Sequence, residues 1–229
     1  MPTEENEAGG LSVFVFVGDE LREVPESHRG LITPALAKVF KHPSAYFLDV
    51  ARRCPFPKMS AWIRGLVDDG AWALALHRSL RDDWNAAGFC WWSDAVASAE
   101  ISPPARLRSC NLLPALAKYY RLVDSVSWMP FGCAGSLYGR AGHDPLTTFH
   151  EMYHGRRAGL DPEATYVFGS SSGGDKLIYT EDNRAGWMSV ESGRIRFLGT
   201  IEGTIDWVYG ELLANRSPNL DYGWLMAGS

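Results

Sequence analysis

With 229 residues, of which 46% are apolar and 21% charged, the chain is long enough to bury a substantial core and too apolar to be a disordered tail. No uninterrupted apolar run reaches the length of about eighteen residues that marks a bilayer-spanning helix. A formal charge of -5 argues against a surface that tracks nucleic-acid phosphates, because such surfaces need clustered Lys and Arg to displace counterions.

Two short basic pairs, Arg52-Arg53 and Arg156-Arg157, are too small to reverse that balance, which suits docking onto a basic protein better than onto a nucleic acid. The opening Met1-Pro2-Thr3-Glu4-Glu5-Asn6-Glu7 is acidic where a targeting signal would be basic. Cys54, Cys90, Cys110 and Cys133 are scattered, with no Cys-x-x-Cys pair, and are expected to be free thiols in a cytoplasmic chain.

In chain order, Leu11 to Val17 is β-branched and aromatic and reads as a buried strand ended by Gly18-Asp19. Thr33 as cap and Pro34 as first residue open a helix that His42-Pro43 breaks. A second helix begins near Ser44, with Tyr46, Phe47, Val50 and Ala51 on one face, and a third near Ser60, with Trp62, Ile63, Leu66 and Val67. After Gly70, Trp72, Leu76 and Leu80 repeat at helical spacing, whereas Phe89-Cys90-Trp91-Trp92 is strand-like.

Ser102-Pro103-Pro104 reads as a linker. It divides residues 1–104, an N-terminal strand plus helical extension, from residues 105–229, an α+β domain. Leu113-Pro114 then starts a helix carrying Leu116, Tyr119, Tyr120 and Val123, and the glycine-rich residues from Phe131 to Gly139 fit a bulged strand. Asp144 and Pro145 are placed to cap and begin a helix through His150 and His154. Short apolar runs at Tyr166–Phe168, Leu177–Tyr179, Trp187–Val190 and Ile195–Leu198, separated by turn residues, predict a small antiparallel sheet. The fold class expected from these elements is α+β, with a mixed, mainly antiparallel sheet flanked by helices.

Two motifs carry possible chemistry. His150-Glu151-Met152-Tyr153-His154 has the spacing that puts two imidazoles on one helical face, where they can share a zinc ion while Glu151 polarises a water. The third ligand would be Asp206, since Gly203-Thr204-x-Asp206-x-x-Tyr209-Gly210 resembles the second motif of the aspzincin proteases. The same residues have a structural reading. His150 would flank an apolar stripe of Leu146, Phe149 and Tyr153, and Asp206 would lie in the first turn of a helix capped by Thr204.

The second motif, Gly169-Ser170-Ser171-Ser172-Gly173-Gly174-Asp175-Lys176, has the look of a phosphate loop but lacks the Gly-Lys-Ser/Thr that cradles phosphate and Mg2+. Asp175 would repel an anion. A tight turn between strands is expected instead.

More of the chain fits a different family. Leu113-Pro114 with Tyr119-Tyr120 resembles the Leu-Pro-x-x-Tyr helix of the SUKH superfamily, which includes Smi/Knr-type regulators and bacterial immunity proteins. Val167-Phe168-Gly169 through Gly173-Gly174-Asp175 is similar to its strand-turn-strand core, Trp187–Val190 and Ile195–Leu198 to the strands that follow, and Ile201–Leu213 to its closing helix. Asp124-Ser125-Val126-Ser127 stands where the family often has Asn-Gly.

The resemblance implies an intracellular protein that binds and neutralises a cognate toxin, commonly a nuclease, with no catalytic residue, no cofactor, no nucleic acid and no membrane. Trp91, Trp92 and Trp224 are the partner-binding candidates, whereas Trp62 and Trp187 are expected in the core. A zinc peptidase using His150, Glu151, His154 and Asp206, and a non-catalytic regulatory scaffold, are the alternatives.

Overall fold

The structure is a computed structural model that describes residues 13–17, 26–32, 37, 39, 41–69, 71–78, 84–93, 97–104, 113–130, 135–139, 142–149, 160–171, 173–190 and 192–214. Ten strands form one sheet, each paired antiparallel with its neighbour in the chain, so that strand order in space equals order in sequence. They are β1 (Val13–Val17), β2 (Ala71–Arg78), β3 (Trp84–Ser93), β4 (Ala97–Ile101), β5 (Val126–Pro130), β6 (Gly135–Leu137), β7 (Thr165–Ser170), β8 (Lys176–Thr180), β9 (Arg184–Met188) and β10 (Ile195–Thr200). The α-helices with bounds among the described residues are α1 (Pro43–Arg53), α2 (Pro57–Asp69), α3 (Pro114–Tyr119) and α4 (Ile201–Leu213). The α+β class expected from sequence holds.

Helices α1, α2 and α3 form where apolar residues recur at helical spacing and a proline starts the first turn. Pro43 opens α1, which buries Phe47, Val50 and Ala51, and Pro114 opens α3, which buries Ala115, Leu116 and Tyr119. Helix α2 buries Met59, Trp62, Ile63 and Leu66, the i, i+3, i+4, i+7 set of one stripe. Residues 37, 39 and 41 are helical, whereas Thr33 and Pro34 lie outside the described residues.

The stretch after Gly70 departs from expectation, because it is strand β2 rather than helix. Trp72, Leu74 and Leu76 alternate with Ala73 and Ala75, and a four-residue spacing belongs to a period of two as well as to one of 3.6. Pairing with β3, in register from Ala71 opposite Trp92 to His77 opposite Ala86, supplies the partner that the spacing alone could not name.

A continuous core lies between the helices and one face of the sheet. It joins Phe47, Met59 and Ile63 from α1 and α2 to Ile101, Val126, Leu177 and Trp187 from the strands and to Ile205 and Val208 from α4. Residues on both sides of Ser102-Pro103-Pro104 share it. The Ser102 amide donates to the Ser125 carbonyl (2.9 Å) and the Asp124 amide donates to Ser102 (2.8 Å), so the start of that linker prolongs the ladder between β4 and β5.

A smaller apolar cluster of Leu146, Val167, Ile178 and Met188 occupies the opposite face. The period of two explains the division. Phe168, Leu177 and Trp187 point to the helices, and their chain neighbours Val167, Ile178 and Met188 point away. Gly186 is required where β9 meets the bulge in β10, since a Cβ there would overlap the Arg196 carbonyl oxygen.

Candidate functional site

Three places hold polar side chains whose geometry bears on function. The first is the turn between β7 and β8. The Gly174 amide donates to the Ser171 carbonyl (3.1 Å) and the Ser171 amide donates to the Asp175 carbonyl (2.9 Å). Gly174 has φ of +88°, a conformation that favours glycine. Asp175 is only 4% exposed, and its carboxylate accepts the Val190 amide at 3.1 Å. The Gly-Gly-Asp sequence therefore makes a tight turn whose carboxylate ties β8 to the end of β9, and an anion has no place beside it.

The second is Asp206, which lies one turn further into its helix than expected. Thr200 rather than Thr204 is the cap of α4: its hydroxyl accepts the Gly203 amide at 3.2 Å. Thr204 is fully buried, and its hydroxyl has no hydrogen-bond partner among the described residues. It falls on the same helical face as Ile201, Ile205 and Val208, which is why it is turned inward.

Asp206 accepts the Lys58 amide at 2.8 Å. Because Pro57 has no amide proton, Lys58 offers the first free N–H of α2, and the carboxylate caps that helix from a neighbouring one. One turn beyond, the Lys58 chain crosses Gly210 so closely that a Cβ would stand 2.7 Å from its Cδ. Burial, opposed by backbone hydrogen bonding at Phe56 and reinforced by the Asp206 charge, leaves the Cys54 thiol above its ordinary pKa.

The third place joins residues that the sequence does not connect. His143 lies between Tyr120 and Tyr179, with ring centroids 5.3 and 5.6 Å away, and Phe168 closes the group at 6.4 Å. Nε2 of His143 meets the Tyr120 hydroxyl, and Nδ1 lies 3.2 Å from the Tyr179 hydroxyl. Since Tyr120 donates to the Tyr138 carbonyl (2.9 Å), its oxygen accepts from His143, which assigns the proton to Nε2 and leaves Nδ1 to accept from Tyr179. Burial lowers the His143 pKa to about 4, so the imidazole is neutral at pH 7. Nearby, Tyr119 and Tyr209 share a hydrogen bond of 3.0 Å and are fully buried; burial is the main cause that raises both phenols.

Of the metal candidates, His150, Glu151 and His154 lie outside the described residues. The segment leading to them is a 3-10 helix, Leu146–Phe149, in place of the expected α-helix start. Pro145 forms an isolated bridge with Tyr166, and this pairing with the sheet occupies the backbone that would open an α-helix. Leu146 is buried in the cluster on the face away from the helices, and Phe149 packs beside it, 5.3 Å from the Lys176 ammonium. Asp206 belongs to the helix that packs against α2 and β9 on the main-core side. No group of three or more metal-ligating side chains is found among the described residues.

The backbone of Trp91 is in register with Trp72 and Ala99, and that of Trp92 with Ala71 and Ser98, whereas Trp224 lies outside the described residues. Trp62 and Trp187 are core residues as expected, at 8% and 0% exposure. Comparison with protein-family models, curated proteins and solved structures returned no match.

Proposed function

We propose that this protein is a non-catalytic, SUKH-like binding protein that works inside the cell by occluding a cognate toxin. The observation that carries this reading is the order of elements from Leu113 to Leu213. A Pro-led helix with Tyr119 and Tyr120 buried, a strand-turn-strand unit closed on Asp175, two further strands and a final helix share one core. That order is the one on which the sequence resemblance rests.

The hydrogen bond from the Lys58 amide gives the Asp206 carboxylate a structural role, capping α2, that needs no metal. The net charge of -5 suits a basic partner such as a nuclease, through attraction during encounter and complementarity once bound.

Co-purification of the full chain with the effector encoded beside its gene tests the proposal. A stable complex in which the effector loses activity is the expected result. Within it, Trp91→Ala, Trp92→Ala or Trp224→Ala, whichever lies at the interface, weakens binding by about tenfold or more. Stoichiometric zinc in the purified protein, lost in His150→Ala, would overturn the proposal in favour of a peptidase. A neighbouring gene with no toxin-like product would favour a regulatory scaffold.

A further inference from the structure

Strand β10 closes the order of the sheet and pairs with β9 alone among the described strands. Where β8 is buried along its whole length, β10 is half-buried or exposed throughout. Its backbone direction follows from the hairpin that precedes it. The Ser189 amide donates to the Arg194 carbonyl at 2.9 Å, and a Cβ on Gly186 would strike the Arg196 carbonyl oxygen. The carbonyls of Arg194 and Arg196 therefore face β9. By the period of two, the N–H and C=O of Ile195 and Phe197 face outward. Neither residue has a hydrogen-bond partner on that side among the described residues.

We propose that β10 is a docking edge on which an extended, acidic segment of the partner adds as an eleventh strand. The two sides of the edge differ in chemistry. Ile195 and Phe197, in register with Met188 and Gly186, lie on the face away from the helices, with the Arg184 guanidinium 4.8 Å from the Phe197 ring. Arg196 is in register with Trp187 on the helical side, and Arg194, two residues earlier, shares that side. Both arginines are exposed, and no acidic residue occurs from Ser192 to Ile201. An added strand with Asp or Glu at every second position would set its carboxylates opposite Arg194 and Arg196 and its apolar residues opposite Ile195 and Phe197.

The same charges argue against a second copy as the occupant. Antiparallel self-pairing about Ile195 or about Arg196 would put arginine opposite arginine, which is unfavourable. Charge and bulges guard the open edges of sheets against self-association. Here the shift in register between Phe197 and Gly199 ends the regular run, so the stretch on offer is Arg194 to Phe197. The one acid beside Arg184, Asp182, is already bonded to it at 2.8 Å, on the neighbouring strand.

The first test is an NMR titration of the full chain with a blocked peptide of alternating Glu and Val, and with one of alternating Lys and Val as control. At saturating Glu-Val peptide, hydrogen exchange of the Ile195 and Phe197 amides is expected to slow by at least about tenfold, with no slowing in the control. Unchanged exchange at these amides, or equal slowing by both peptides, would overturn the proposal.

The second test rests on the binding role proposed above and uses a candidate toxin with Phe197→Pro, which removes an outward amide, and Phe197→Leu, which keeps it. Phe197→Pro is expected to bind at least about tenfold more weakly than the native chain, and Phe197→Leu within about twofold of it. Equal binding by the native chain and Phe197→Pro would overturn the docking edge and leave the binding role standing. Absence of toxin binding by the native chain would contradict the binding role alone, and the peptide titration would then decide the edge.

Discussion

The two faces of the sheet are built from the same strands and differ in what holds them. On one side α1, α2, α3 and α4 lay a continuous aromatic and aliphatic core over Phe168, Leu177 and Trp187. On the other, Val167, Ile178 and Met188 are covered by Leu146 and Phe149 from residues 142–149, a segment that is hydrogen-bonded along β7 and whose His143 ring lies on the core side. Hydrophobic burial grows with covered area and is indifferent to pH, whereas a buried imidazole makes stability depend on the protonation of a single ring. The helical face should therefore set global stability, and the His143 group on that same side should make it fall in acid.

The largest expected effect comes from Trp187→Ala, which empties a fully buried site against Trp207 and should cost about 3 to 5 kcal/mol in denaturant unfolding. A cost below that of Ile178→Val on the opposite face, expected at about 1 kcal/mol, would break the contrast between the faces.

Acid comes next. His143 has a folded pKa of about 4 against an ordinary 6.5, so below 6.5 the unfolded chain binds a proton that the folded chain refuses. The sign follows: the contribution to stability is complete above 6.5, falls as pH drops toward 4 and changes no further below it. Its full size is at most about 3.4 kcal/mol. Unfolding measured across this range in the native chain and in His143→Phe should show the slope in the first and its loss in the second.

Smaller effects sharpen the account of the helical face. Asp206→Ala removes the cap of α2 and should cost about 1 to 2 kcal/mol with no change in bound metal; a loss of zinc on this substitution would restore the peptidase reading. Thr200→Ala should cost about 1 kcal/mol by uncapping α4, and Thr200→Ser should recover most of it. A cost at Thr204→Ser as large as that of Thr200→Ala would show that the inward Thr204 is held by more than its methyl group.

The helical face was largely legible in the sequence, because α1, α2 and α3 carry prolines at their starts and apolar stripes at helical spacing. Strands β7 to β10 were legible for a related reason, as short apolar runs between turn residues. Strand β2 was not, since Trp72 and Leu76 satisfy both periods and the partner strand that decides between them comes later in the chain. Thr204 was a poor guide to the start of α4 because two threonines stand four residues apart, and only packing shows which one turns inward.

Of the candidate site, the role of Asp206 depended on Lys58, 148 residues away. The His143 group was invisible for the same reason, with partners 23 and 36 residues distant that carry no motif. Asp175 is the exception. Its place after two glycines excluded phosphate and anticipated a turn, and the hydrogen bond to Val190 explains why a carboxylate stands there.

The most direct test of the proposed binding role is a calorimetric titration of the purified chain with a candidate toxin, such as any encoded beside its gene, paired with an assay of that effector's activity. The account predicts saturable binding with one chain per effector and loss of effector activity at the same ratio. Absence of binding, with effector activity unchanged at saturating concentrations of this protein, would contradict it.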